Sequence, residues 1–111
     1  MIRGGMVTLP VRDVGGAVRF YVETLGMKLV EDAGTDRAVI DAGDGLHLAL
    51  RRGDAEATGV RIGLSPKVPI AEAIAILENR GVTFKTTKEG DITLAAFHDP
   101  DGNALYLYQR A

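Results

Sequence analysis

Few side chains in this sequence have chemistry to offer. There are two histidines, His47 and His98, and no cysteine. Without cysteine there is no thiolate zinc site, no disulfide framework and no thiol nucleophile. Ser65 has no triad around it, and no glycine-rich loop is built to cradle a phosphate; "GGMV" and "GDGL" read as turns. What remains is a set suited to holding a molecule. Arg61 can take a carboxylate or another anionic group through its planar guanidinium. Tyr106 and Tyr108 can stack on a planar ring and hydrogen-bond through their tips.

Alternation places these residues on shared faces. Tyr106 and Tyr108 alternate with Leu105 and Leu107, and Arg61, Gly63 and Ser65 share the period of two. His47 alternates against Leu46, Leu48 and Leu50, on the face of Ala49 and Arg51, so the leucines are expected under a helix and His47 on the open side. Met6 and Thr8 share a face of the first strand, where Met6 makes an adaptable apolar wall. Gly63 leaves room in the middle of its face. His98 directly precedes the turn at Asp99, where an exposed or turn-bonding imidazole is the plain expectation.

The elements that must position these residues are legible from spacing. "MVTLPV" is a strand, and Asp13 offers an N-cap. Val14, Ala17, Val18, Tyr21, Val22 and Leu25 form one helical face, closed by Gly26, which predicts a helix at about 14–25. "MKLVEDA", "DRAVIDAG" and "LHLALRR" follow as three strands separated by Gly/Asp turns. "GDAEATG" reads as a structureless linker. The pattern then restarts: strand "VRIGLS", a helix at about 69–80 with Pro69 near its start and Gly81 at its end, and strands "VTFKTTKE", "DITLAAFH" and "ALYLYQR".

The halves repeat. Met6 to Gly26 and Arg61 to Gly81 have the same length, at a common offset of 55. The expected fold is α+β: two βαβββ modules in tandem, at about 6–51 and 60–109, joined by a linker at 52–59 within one domain. Each module is a curved mixed sheet with one helix, and the two open faces are expected to enclose a cavity.

Composition narrows the function class. The chain has 111 residues, 46% hydrophobic and 25% charged, with a formal net charge of −2. That balance lacks the basic excess of a nucleic-acid binder. Apolar runs are too short to span a bilayer, and "MIRGGMVTLP" lacks the apolar core of a signal peptide, so a cytoplasmic protein is expected.

"VRDVGGAVRFYVETLGMKL" and "FHDPDGNALYLY", with the duplicated order, resemble the vicinal oxygen chelate superfamily of glyoxalases, bleomycin resistance proteins and extradiol dioxygenases. The matching elements are Val11-x-Asp13, Phe20-Tyr21, Leu25-Gly26 and Asp99-Pro100-Asp101-Gly102-Asn103. One scaffold in this group hosts several chemistries and non-catalytic binders. The resemblance implies four metal-ligand positions, mostly His and Glu. In this chain they fall on Met6, on Ala49 or His47, on Arg61 and on Tyr106. At least three of the four cannot serve a hard divalent ion in the usual way.

The expectation is therefore a metal-independent, cofactor-free binder of the bleomycin-resistance type, sequestering an aromatic or amphipathic compound. Its expected ligand-binding residues are Met6, Thr8, His47, Ala49, Arg61, Gly63, Tyr106 and Tyr108, with no catalytic residue. Expected partners are a small molecule and a second copy of the chain in a homodimer, with no nucleic acid and no membrane. Two alternatives stay open. One is an enzyme on the same fold, either a lyase, isomerase or dioxygenase with an atypical metal site or a metal-free catalyst using His47, Arg61 and Tyr106. The other is a non-catalytic interaction module.

Overall fold

The computed structural model describes residues 1–54 and 60–111. The chain divides into two compact units, Met1–Ala57 and Thr58–Ala111. The first contains β1 (Gly5–Val11), α1 (Val14–Arg19), a π-helical turn (Phe20–Thr24), β2 (Lys28–Asp32), β3 (Arg37–Gly43) and β4 (Leu46–Arg52). The second contains β5 (Arg61–Leu64), α2 (Ile70–Asn79), β6 (Lys85–Glu89), β7 (Ile92–His98) and β8 (Ala104–Arg110). The expected βαβββ order occurs twice. Arg52 belongs to β4 rather than to a linker, and residues 55–59 of the expected linker lie outside the described residues.

Both sheets are built the same way. The strand orders are β1-β4-β3-β2 and β5-β8-β7-β6. In each, the first and last strands pair in parallel and the remaining pairs are antiparallel. Each sheet buries one face under its own helix. In the first unit Val14, Ala17 and Tyr21, spaced by three and four, are buried with Val11, Ile40, Leu48 and Leu50. In the second, Ile70, Ala73 and Leu77 are buried with Ile62, Ala95, Phe97, Leu105 and Leu107. Successive strand residues point to opposite faces, so the residues between these core positions form the open face.

The helix ends show how the repeat is kept in step. Gly26 (φ +76°) and Gly81 (φ +92°) both take the left-handed conformation that closes a helix. Around Gly81 the Val82 N–H bonds the Leu77 carbonyl at 3.1 Å and the Gly81 N–H bonds that of Glu78 at 3.0 Å, a Schellman ending. The first helix instead widens before its glycine: the Leu25 N–H reaches the Phe20 carbonyl, five residues back, at 3.0 Å. In the repeat frame α1 starts one residue earlier than α2, and the π turn takes up the extra residue.

The caps differ from expectation. Asp13 stands at the N-cap position with extended backbone, but its side chain makes no capping hydrogen bond. It lies instead beside Gly16, where a Cβ would come 2.9 Å from its Oδ2. For α2 the cap comes from the far end of the unit. The Ile70 N–H donates to Gln109 Oε1 at 2.9 Å, and Gln109 Nε2 reaches toward the Val68 carbonyl at 3.5 Å. Pro69, the N-cap residue, has no side-chain acceptor, so β8 supplies one.

The "DPDGN" turn is held by its first residue. Asp99 is 5% exposed. Its Oδ1 accepts from the Asp101 and Asn103 N–H groups at 2.9 and 2.8 Å, and its Oδ2 from Asn103 Nδ2 at 2.8 Å. Gly102, at φ +87°, completes the turn. The motif joins β7 to β8 and sets the register of the strand that carries the two tyrosines.

Candidate ligand-binding site

On the open face of the second unit the strand register arranges side chains in rows. Arg61 of β5 stands beside Ala104 of β8, which stands beside His98 of β7. The next row is Gly63, Tyr106, Ala96 and, on β6, Lys85. Tyr108 follows beside Leu94. Ser65 lies beyond the end of β5, so it leaves the face that its spacing assigned it.

Tyr106 does not stand upright in its row. Its ring leans across β5 onto Gly63, where a Cβ would lie 2.5 Å from both the ring Cζ and the hydroxyl oxygen. The room left by Gly63 is thus filled by Tyr106. The Arg61 guanidinium carbon sits 5.2 Å from the centroid of the same ring, within cation–π range. Tyr108 is the other neighbour, with centroids 6.1 Å apart and planes inclined by 50°. Among the described residues no carboxylate lies within ion-pair distance of Arg61, whereas Arg37 pairs with Glu31 and Arg110 with Asp91. An exposed guanidinium held near a ring, with no counter-charge among the described residues, can meet an anion.

The first unit presents the equivalent rows with different chemistry. Met6 stands beside His47, which faces Asp41 across the antiparallel pair. Thr8 stands beside Ala49, which faces Val39. Met6 is 52% exposed, whereas Ala49 and Val39 are buried although they belong to the open face. Asp41 spends one oxygen on the Gly43 N–H at 2.8 Å. The register also answers which residue corresponds to Tyr106. Tyr106 pairs with the residue two past Arg61, and Ala49 pairs with the residue two past Met6. Ala49 is therefore its counterpart, and His47 is the counterpart of Ala104.

Each unit thus brings together four of the eight expected residues: Met6, Thr8, His47 and Ala49 on one sheet, and Arg61, Gly63, Tyr106 and Tyr108 on the other. Sequence reasoning missed Ala96, Leu94 and Lys85, which flank the tyrosines, and the placement of His98 in the Arg61 row. Counting back by twos from His98 finds Ala96 and Leu94; finding Lys85 needs the β6–β7 register.

The residues do not fit a divalent metal. The four positions hold a thioether, a methyl group, a guanidinium and a phenol. Only the phenol has oxygen to give, and the Arg61 cation already lies on its ring. Among the described residues no three His, Asp or Glu side chains are grouped to share an ion.

Comparison with known proteins accords with the geometry. No curated protein sequence matches the chain. Among solved structures, the antibiotic-binding protein TnmS3 from Streptomyces sp. CB03234 is 26% identical, with a TM-score of 0.84 over 100% of this chain and 98% of that one. A superfamily member from Sphaerobacter thermophilus is 29% identical, with a TM-score of 0.79 over 97% of each chain. Lactoylglutathione lyase from Agrobacterium tumefaciens, at 17% identity, shares the fold, with a TM-score of 0.78 over 93% of this chain and 90% of that one. Residues 4–107 match the model of one family. With that match and the twice-built βαβββ sheet, the chain belongs to the Glyoxalase/Bleomycin resistance protein/Dioxygenase superfamily.

Proposed function

We propose that this protein is a metal-independent small-molecule binder that sequesters an aromatic or amphipathic compound. The observation that carries the reading is the Arg61–Tyr106–Gly63 arrangement: a ring whose hydroxyl end lies against a glycine, with a cation 5.2 Å from its centroid and a second tyrosine beside it. Such a surface offers an apolar plane and hydrogen-bonding tips, and it places no nucleophile or base at a reacting atom. The proposed contacts are Met6, Thr8, His47 and Ala49 on the first sheet and Arg61, Gly63, Tyr106 and Tyr108 on the second. The likeness to an antibiotic-binding protein supports the same class of activity.

The test combines binding with elemental analysis. Planar aromatic compounds should raise the melting temperature and quench tyrosine fluorescence saturably, and Tyr106→Leu should abolish both effects. The purified protein should release no stoichiometric metal. One equivalent of metal per chain that survives a chelator wash and is lost in Tyr106→Phe or His47→Ala would replace the binder with a metalloenzyme.

A further inference from the structure

We infer that the ligand carries a carboxylate or comparable oxyanion on a planar ring, and that the Arg61 row of the second sheet is its anion anchor. This rests on the binder reading above and adds the charge of the ligand to it.

The row itself makes the argument. Arg61 and His98 stand on either side of Ala104, one strand away each, so they flank it at a span of roughly 10 Å. Ala104 carries only a methyl group, which leaves the row low between two nitrogen-bearing side chains. His98 is exposed. Neither His98 nor Arg61 has a carboxylate partner among the described residues. Lys85, in the adjoining Tyr106 row, adds a further cation at the same end of the face. The acid on the strands of this face, Glu89, lies at the other end beside Ile92, and there Arg110 is paired with Asp91. In the turn that joins His98 to Ala104, the Asp99 carboxylate is taken up by the Asp101 and Asn103 N–H groups and Asn103 Nδ2, so on the strands themselves this end carries Arg61 and Lys85 and no acid.

Strand cations placed in this way raise the local concentration of anions and set their orientation. The tyrosines define what must be attached to the anion. The Tyr106 ring centroid lies 5.2 Å from the Arg61 guanidinium carbon and 6.1 Å from that of Tyr108, with Ala96 and Leu94 beside the two tyrosines. A ring laid against Tyr108 and the edge of Tyr106 would point a carboxylate toward the Arg61–Ala104–His98 notch. Arginine suits that role because its donors form a planar fork and its charge persists at all working pH values.

Two-dimensional amide NMR titrations with 2-naphthoate and with its neutral isostere 2-naphthamide test the inference. Naphthoate should give saturable shifts at Arg61, Ala104 and Tyr106 and bind about tenfold more tightly than naphthamide, the size of one charge-assisted hydrogen-bonded contact. Added salt should narrow the gap. Arg61→Gln should cost the acid about tenfold more than the amide and so close the gap between the two affinities; Arg61→Lys should retain part of the gap. An unshifted melting temperature and a dispersed spectrum show that each variant is folded. If acid and amide bind equally, or Arg61→Gln weakens both alike, the anion anchor is wrong and the binding face stands. If neither compound gives saturable shifts on this face, the binder reading falls and the anchor with it.

Discussion

The Tyr106 ring rests on Gly63, and a methyl group at residue 63 would sit 2.5 Å from the ring Cζ. The two residues are neighbours in the parallel β5–β8 pair. Gly63→Ala should push the ring off β5 and away from Arg61. Because Tyr106 is only half-buried and has solvent to move into, the stability loss should stay near ~1 kcal/mol. The tyrosine near-ultraviolet circular dichroism should change more than the melting curve. In Gly63→Ala with Tyr106→Leu the two stability effects should not add, since the second change removes what the first displaces. Additive effects would mean the ring does not occupy that position.

Asp99→Ala should be the most damaging single substitution in the "DPDGN" turn. It removes a buried carboxylate that accepts from two backbone N–H groups and from Asn103 Nδ2. Leaving those donors without their acceptor should cost about 2–3 kcal/mol in urea unfolding. A loss under half a unit of kcal/mol, roughly the size of a surface change, would show that water replaces the carboxylate.

Gln109→Ala should loosen the start of α2 while leaving the sheet intact. The expected loss is about 1 kcal/mol, the usual size of a missing N-cap. Amide exchange at Ile70 should quicken, since its N–H loses Gln109 Oε1. Unchanged protection at Ile70 would show that another acceptor substitutes.

Assembly is a separate expectation. Each module is only about fifty residues, too small to be stable alone, and we expect a homodimer. Sedimentation at micromolar concentration should give twice the chain mass; a monomer there would count against it.

Much of this fold was legible because the repeat is written in spacing. Equal lengths from Met6 to Gly26 and from Arg61 to Gly81 placed both helices to within about a residue, and both glycines do close them with positive φ. The π turn was not legible, since an extra residue in the last turn leaves the apolar spacing of Val14, Ala17 and Tyr21 untouched. Nor was the α2 cap, because Gln109 is 39 residues from Ile70 and nothing local marks it. Alternation put Arg61 and Gly63 on one face of their strand and Tyr106 and Tyr108 on one face of theirs; that the two belong to one sheet face needed the β5–β8 register. Alternation did not say that Tyr106 leans over Gly63, which depends on a side-chain torsion rather than a period. Choosing Ala49 over His47 as the counterpart of Tyr106 needed the β1–β4 register, which loop lengths conceal.

The shared strand order has a consequence for how the chain tolerates trimming. In each sheet the last strand in sequence lies inside the sheet: β4 between β1 and β3, and β8 between β5 and β7. Chain ends are ordinarily the safest places to cut. Here a truncation that removes Ala104–Arg110 takes away the interior strand of the second sheet, strands β5 without a partner, and removes the Gln109 cap of α2. During synthesis the same order makes each sheet wait. Until Leu46–Arg52 emerges, β1 has no partner, and until Ala104–Arg110 emerges, β5 has none. A ribosome-arrested chain ending just before residue 104 should therefore leave β5 open to protease, and one extended past residue 111 by a linker should not.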